Sequence, residues 1–129
     1  MMKSVTCVFA SLVTMAAAFE TGAHAFLDHA TPAVGSATHG SPAQVRLWFT
    51  EKLEPAFSTV QVQDRDGRRV DKQDKRVDPA NPALLQVTLP QLAPGRYRVV
   101  WRALSVDTHV TEGDFTFDVV PRPPAISAR

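Results

Sequence analysis

Two runs near the end of the chain leave little choice of fold. Arg96 to Ala103 alternates, with Tyr97, Val99 and Trp101 on one side and Arg96, Arg98 and Arg102 on the other. Gly113 to Val120 alternates again, with Phe115, Phe117 and Val119 on one side. Successive side chains of an extended strand point to opposite faces. Each run is therefore a strand with one apolar and one wet face, and a helix would scatter these apolar residues around its axis. The tight polar link between the strands carries Asp107 and His109. In an extended chain residues two apart point the same way, so both are expected to face one point with Thr108 turned away. A carboxylate oxygen and an imidazole nitrogen together suit a divalent transition metal. Two ligands alone do not complete a site.

The rest of the chain repeats the pattern. Phe26 to His29 reads as a short first strand. Thr31 to Ser36 and His39 to Pro42 are turn chemistry. Gln44 to Thr50 places Val45, Leu47 and Phe49 on one face, and Ser58 to Gln63 places Val60 and Val62 inward. Lys52 to Phe57, with Pro55, is a connector. Asp66-Gly67 is a hairpin turn returning through Arg68 to Val70. Asp71 to Pro82 is polar and broken by Pro79 and Pro82, which predicts a solvated loop. Leu85, Val87 and Leu89 line one face of the next strand, and Pro94-Gly95 fits a type II turn. Short strands with frequent turns and no helical period indicate an all-β sandwich or barrel. No internal repeat, phosphate-binding loop, nucleophile elbow or cysteine-based zinc motif is present in the sequence.

The beginning has a different character. Lys3, an apolar run from Val5 to Phe19 and the small residues up to Ala25 form the three parts of a secretory leader. The apolar run falls short of the roughly 20 residues of a membrane span. Export followed by a protein without membrane insertion is expected. Cys7 and the three methionines, Met1, Met2 and Met15, all lie in this leader. The remainder has no sulfur, which excludes a disulfide fold although the compartment would permit one. Lys3 and Glu20 cancel, so the net charge of +1 belongs to the remainder. That gives no basic field for nucleic acid and no polybasic membrane anchor.

Two cleavage points suit the leader. Cutting after Ala25 uses Ala23-His24-Ala25, which the generic small-residue pattern slightly favours. Cutting after Ala23 makes His24 the first residue. An N-terminal histidine offers its α-amine and Nδ1 to one metal in a six-membered ring. Both groups titrate near neutrality, at about 7.7–8.0 and about 6.5, so a metal displaces their protons at modest cost.

Four segments together resemble the CopC family of periplasmic copper-binding proteins. They are HAFLDHATPAVGS from His24 to Ser36 and Phe49-Thr50-Glu51-Lys52-Leu53. The long L-x-x-G-x-Y-x-V-x-W-R-x-x-S-x-D-T-H motif runs from Leu92 to His109, and G-x-F-x-F-x-V from Gly113 to Val119. The resemblance implies a Greek-key, cupredoxin-like or immunoglobulin-like β-barrel (a sandwich) of about seven strands. It implies a Cu(II) site built from the N-terminal His24, Asp107, His109 and a nearby Glu51, the last as an axial ligand or an outer-shell group. It also favours cleavage after Ala23. The domains expected are a leader at 1–23, a copper-binding β domain at 24–120 and a flexible tail at 121–129. Some family members bind Cu(I) through a methionine-rich loop. The matching region here, Gln61 to Val77, is charged and the remainder lacks the sulfur that soft Cu(I) wants. A single Cu(II) site without a Cu(I) site is therefore expected.

The donors would be the amine and imidazole of His24, the His109 imidazole and an Asp107 oxygen. Three nitrogens and one oxygen suit tetragonal Cu(II), which also leads the stability order for such donors. Thr108 or Glu112 is expected to orient the imidazole. His29 is a minor candidate donor, and His39 is expected to be solvated. Trp48 and Trp101 are expected to pack, and the alternating charges of Asp64 to Lys75 to form a solvated face. The function implied is a periplasmic carrier or buffer for copper resistance or delivery, with a CopD-type inner-membrane transporter as the family's usual partner. Two alternatives stand beside it. One is a copper oxidative enzyme with a histidine brace, which needs an open coordination position. The other is an immunoglobulin-like adhesion module with an incidental Asp-Thr-His loop.

Overall fold

The computed structural model describes residues 25–124. The leader, His24 and the end of the tail lie outside the described residues. Eight strands follow one another: β1 Leu27–Thr31, β2 Ala37–His39, β3 Gln44–Phe49, β4 Thr59–Gln63, β5 Arg76–Asp78, β6 Asn81–Thr88, β7 Gly95–Leu104 and β8 Val110–Val120. They form two four-stranded sheets in the orders β1-β3-β6-β5 and β2-β8-β7-β4. Every pairing is antiparallel except β2 with β8, which is parallel. The two sheets make a sandwich.

The alternation read from the sequence sets the inner faces. Val45, Leu47 and Phe49 of β3 and Leu85 and Val87 of β6 meet Val60 and Val62 of β4, Tyr97, Val99 and Trp101 of β7, and Phe115, Phe117 and Val119 of β8 in one core. Burying a side chain of this size stabilises by about 1.5–3 kcal/mol. The Phe49 and Trp101 rings meet edge to face across the sheets at 5.1 Å. Trp101 also explains Gly113, its cross-strand partner. A Cβ on Gly113 would lie 2.5 Å from the indole, so only glycine lets the ring lie flat over β8.

Three expectations need correction. Asp71 to Pro82 is not one solvated loop. Arg76–Asp78 is a strand, and β6 already begins at Asn81. Pro82 is tolerated near the start of that strand, where a missing N–H costs little. The strands number eight among the described residues, because β2 was hidden between two turns. Only three residues long, it is held by backbone bonds, Gly40 N to Val120 O at 2.9 Å and Asp118 N to Ser36 O at 2.9 Å. Last, β6 is buried on both faces, Leu84 and Gln86 included. Its outer side chains have Trp48, Arg46 and Arg76 as cross-strand neighbours, long side chains that cover them. The Asp66-Gly67 turn does form, with Gly67 at φ +79° and Asp64 N bonded to Arg68 O at 2.8 Å.

Candidate metal-binding site

The long β7–β8 pair ends at Leu104 and Val110, leaving Ser105 to His109 to reverse the chain. Ser105 N donates to His109 O at 3.0 Å, and Thr108 N donates to Ser105 O at 2.9 Å. This is a four-residue turn, and serine suits its first position. Thr108 has φ +71°. A left-handed conformation is unusual for a β-branched residue, and such conformations gather at functional sites. The Thr108 hydroxyl donates to the Asp107 carbonyl at 2.6 Å.

Asp107 and His109 do converge, with Oδ2 of one 3.4 Å from Nδ1 of the other. The cause is this turn rather than the simple alternation of an extended chain. Two donors each about 2.0–2.1 Å from a metal stand roughly 2.9–3.4 Å apart at angles between square and tetrahedral. The observed separation fits one ion without moving the backbone. Both side chains remain accessible, Asp107 at 39% and His109 at 48%.

Ser105 is the group that sequence reasoning passed over. It is 1% exposed. Its hydroxyl donates a hydrogen bond to Asp107 Oδ1 and accepts one from His109 N at 3.3 Å. The Ser105 hydroxyl holds the Asp107 carboxyl below the ordinary carboxylate range. Partial desolvation opposes this, and His109 reinforces it. The signal was present, since a serine two residues before the aspartate opens the turn. Thr108 and Glu112 do not orient the imidazole in the expected way. The Thr108 hydroxyl is spent on the backbone, and Glu112 pairs with Arg102 at 3.2 Å.

Two further segments reach the same end of the sandwich. Lys52 to Glu54 runs beside the loop, with Val106 N on Lys52 O at 3.0 Å, Glu54 N on Leu104 O at 2.8 Å and Leu53 bridged to Ser105. Glu51 immediately precedes it. The first described residues are tied down on either side. Phe26 N donates to Thr50 Oγ1 at 3.0 Å, Thr50 N donates to Phe26 O at 2.9 Å, and Thr111 Oγ1 donates to Ala25 O at 2.5 Å. Ala25 is fully buried in the core. Among the described residues no three His, Cys, Asp or Glu side chains converge to hold a metal. Asp107 and His109 are thus brought together as a pair, and Glu51 does not join them in a three-membered cluster.

His29 is engaged elsewhere. Its Nδ1 lies 2.7 Å from Asp28 Oδ2 and its ring stacks on Trp48 at 4.4 Å. The Arg46 guanidinium lies 4.7 Å from the same indole. His39 is in β2. A concavity of about 810 Å³ also lies elsewhere, on the outer face of β4, β7 and β8. Arg98 and Arg102 line it, each paired with a carboxylate. The candidate site is therefore an open loop tip.

Residues 27–120 match the family described as the CopC domain. The crystal structure of CopC from Methylosinus trichosporium OB3b superposes with a TM-score of 0.70 and 34% identity, covering 79% of this chain and 99% of that one. PcoC from Escherichia coli, described as a methionine-rich copper resistance protein, superposes with a TM-score of 0.64 and 32% identity, covering 76% and 100%. The copper transport protein CutJ of Bacillus subtilis is 32% identical over 98 residues, which are 75% of this chain and 18% of CutJ. The chain thus spans less than a fifth of that protein.

Proposed function

This chain belongs to the CopC family of copper-binding proteins, and on that premise we propose that it is a periplasmic Cu(II) carrier or buffer with one site. The family is one of copper resistance and transport proteins and not of enzymes. The finer reading assigns the site to His24, Asp107, His109 and Glu51, the last as an axial or outer-shell carboxylate. The observation that carries it is the turn that sets Asp107 Oδ2 and His109 Nδ1 3.4 Å apart at an accessible tip.

The anchoring of Ala25 supports His24 as the third contributor. Cleavage after Ala25 would remove a fully buried residue whose carbonyl is bonded to Thr111. Cleavage after Ala23 keeps that residue and leaves His24 one peptide bond from it. Thr111 is in turn two residues from His109. The N-terminal amine and imidazole would complete three nitrogens and one oxygen, a set suited to tetragonal Cu(II).

The oxidation state follows from donor softness. Every methionine and the single cysteine lie within the first 15 residues. A chain cleaved after Ala23 has nothing to hold Cu(I) as thioethers do, in contrast to a relative described as methionine-rich. The match within CutJ supports a membrane copper transporter of the CopD type as the partner, since it lies inside a larger copper transport protein.

The test is to express the full chain with export, purify it from the periplasm and record native mass spectra with Cu(II) and a competing chelator. A mass beginning at His24 with one copper retained, and released on reduction, is expected. A mass beginning at Phe26 with no copper retained would overturn the site.

A further inference from the structure

We propose that Ser105 is the positioning residue of the metal loop: its buried hydroxyl occupies Asp107 Oδ1, so that the carboxylate presents Oδ2 alone beside the His109 imidazole. The inference rests on the Cu(II) reading above and deepens it, because it says what makes the aspartate a one-oxygen donor.

A hydroxyl has one proton to give. The Ser105 proton has two acceptors in reach, Asp107 Oδ1 and, at 3.3 Å, His109 O. A carboxylate is the stronger acceptor, because charge-assisted hydrogen bonds are roughly twice as strong as neutral ones. The proton therefore goes to Oδ1. The oxygen lone pairs remain free for His109 N at 3.3 Å. One buried atom thus spans both donor residues, fixing the carboxylate of one and the backbone of the other. The oxygen left over, Oδ2, is the one 3.4 Å from His109 Nδ1.

Denticity has a chemical consequence. A carboxylate that binds through both oxygens serves large, flexible oxygen shells such as those of Ca²⁺. A single oxygen takes one corner of a square and leaves the other three to nitrogen, the arrangement Cu(II) favours. Ser105 would therefore tune selectivity as well as affinity. A second buried serine makes a natural control. Ser58 is fully buried, and its hydroxyl accepts from Leu104 N at 3.1 Å, one residue from Ser105. It touches neither donor.

The experiment compares Ser105→Ala, Ser58→Ala, Asp107→Ala and the Ser105→Ala/Asp107→Ala double variant of the exported chain. Cu(II) affinity is read by chelator competition, the coordination geometry by electron paramagnetic resonance and the fold by circular dichroism. Ser105→Ala is expected to weaken Cu(II) about 10- to 100-fold, the usual cost of losing a partner that orients a ligand, and to split or shift the copper spectrum. Ser58→Ala is expected to leave the spectrum unchanged. In the Asp107→Ala background, Ser105→Ala should cost clearly less, because only the His109 backbone contact is then left to lose. Asp107→Glu extends the carboxylate out of reach of the serine at an exposed position. It should show the same altered spectrum and a roughly 10-fold loss, and it decides the matter if Ser105→Ala does not fold. A wild-type spectrum and affinity in Ser105→Ala or in Asp107→Glu would overturn the proposal. So would an equal Ser105→Ala loss with and without Asp107. If Asp107→Ala itself keeps wild-type copper binding, the Cu(II) site falls and this proposal with it. If Asp107→Ala loses copper and Ser105→Ala does not, only the serine's role falls.

Discussion

Two polar loops of this molecule are built on the same plan and put to different uses. Each holds an aspartate within two residues of a non-glycine residue of positive φ, Asp71 with Gln73 at +58° and Asp107 with Thr108 at +71°. Asp71 is turned inward, with a side chain that is 0% exposed. Its Oδ1 accepts from Val62 N at 2.8 Å, its Oδ2 from Gln73 N at 3.0 Å, and Arg69 reaches both oxygens. Every lone pair facing the protein is spent on holding segment 69–73 to the edge of β4. Asp107 is turned outward. One oxygen is spent on Ser105, and the other faces an imidazole and solvent. An aspartate is structural when the protein satisfies both of its oxygens, and chemically available when it satisfies one.

The comparison is most directly broken at Asp71. Asp71→Ala strands the Val62 and Gln73 amides and leaves Arg69 without its carboxylate. Because the guanidinium is partly solvated, the cost should be about 3 kcal/mol rather than that of a fully buried charge, read as a lower urea midpoint. An unchanged midpoint would mean that the loop is not a structural clamp. At the other loop, Asp107→Ala should cost about 100-fold or more in Cu(II) affinity, the upper end for groups around a metal. It should leave the urea midpoint close to that of wild type, as expected for an exposed site. A large stability loss there would erase the distinction. Gly113→Ala offers a reference for a purely packing defect. Its Cβ would press on Trp101, which should destabilise by about 1–3 kcal/mol with the copper spectrum unchanged.

The smallest effect is expected in acid. Burial alone would raise the Asp71 carboxyl, but the Arg69 hydrogen bond and the Val62 and Gln73 amides outweigh it and hold it below its ordinary range. A group depressed on folding contributes stability that is complete above its unfolded value of about 3.9 and fades as pH falls through the folded value. Wild type should therefore lose its advantage over Asp71→Asn as pH drops below about 4. A gap between them that stays constant down to the lowest accessible pH would contradict the ion pair as its source.

Much of the fold was legible because burial of one sheet face imposes a period of two on β3, β4, β7 and β8. What was illegible lacked that period. β2 is three residues long and is recognised by backbone bonds to β8, which no side-chain pattern announces. β5 is charged and short, and β6 breaks alternation because its outer face is covered by neighbours. At the site, the pairing of Asp107 with His109 was visible in the D-T-H spacing. Ser105 was visible only as a turn former, since its hydroxyl gains meaning from burial and from the two residues it spans.

By itself the sequence determined the inner faces of the sandwich and the donor types on offer, nitrogen and oxygen without sulfur beyond Met15. It also confined any Asp–His pair close in sequence to two places, Asp28-His29 and Asp107 with His109. Only the tertiary structure decided between their uses. The first pair is drawn against Trp48 on the outer face of a sheet, and the second is closed by a turn over a buried serine. The physical reason is that strand periodicity is a local property of the chain. Convergence of donors depends on register, turn closure and burial, which arise only when distant segments meet.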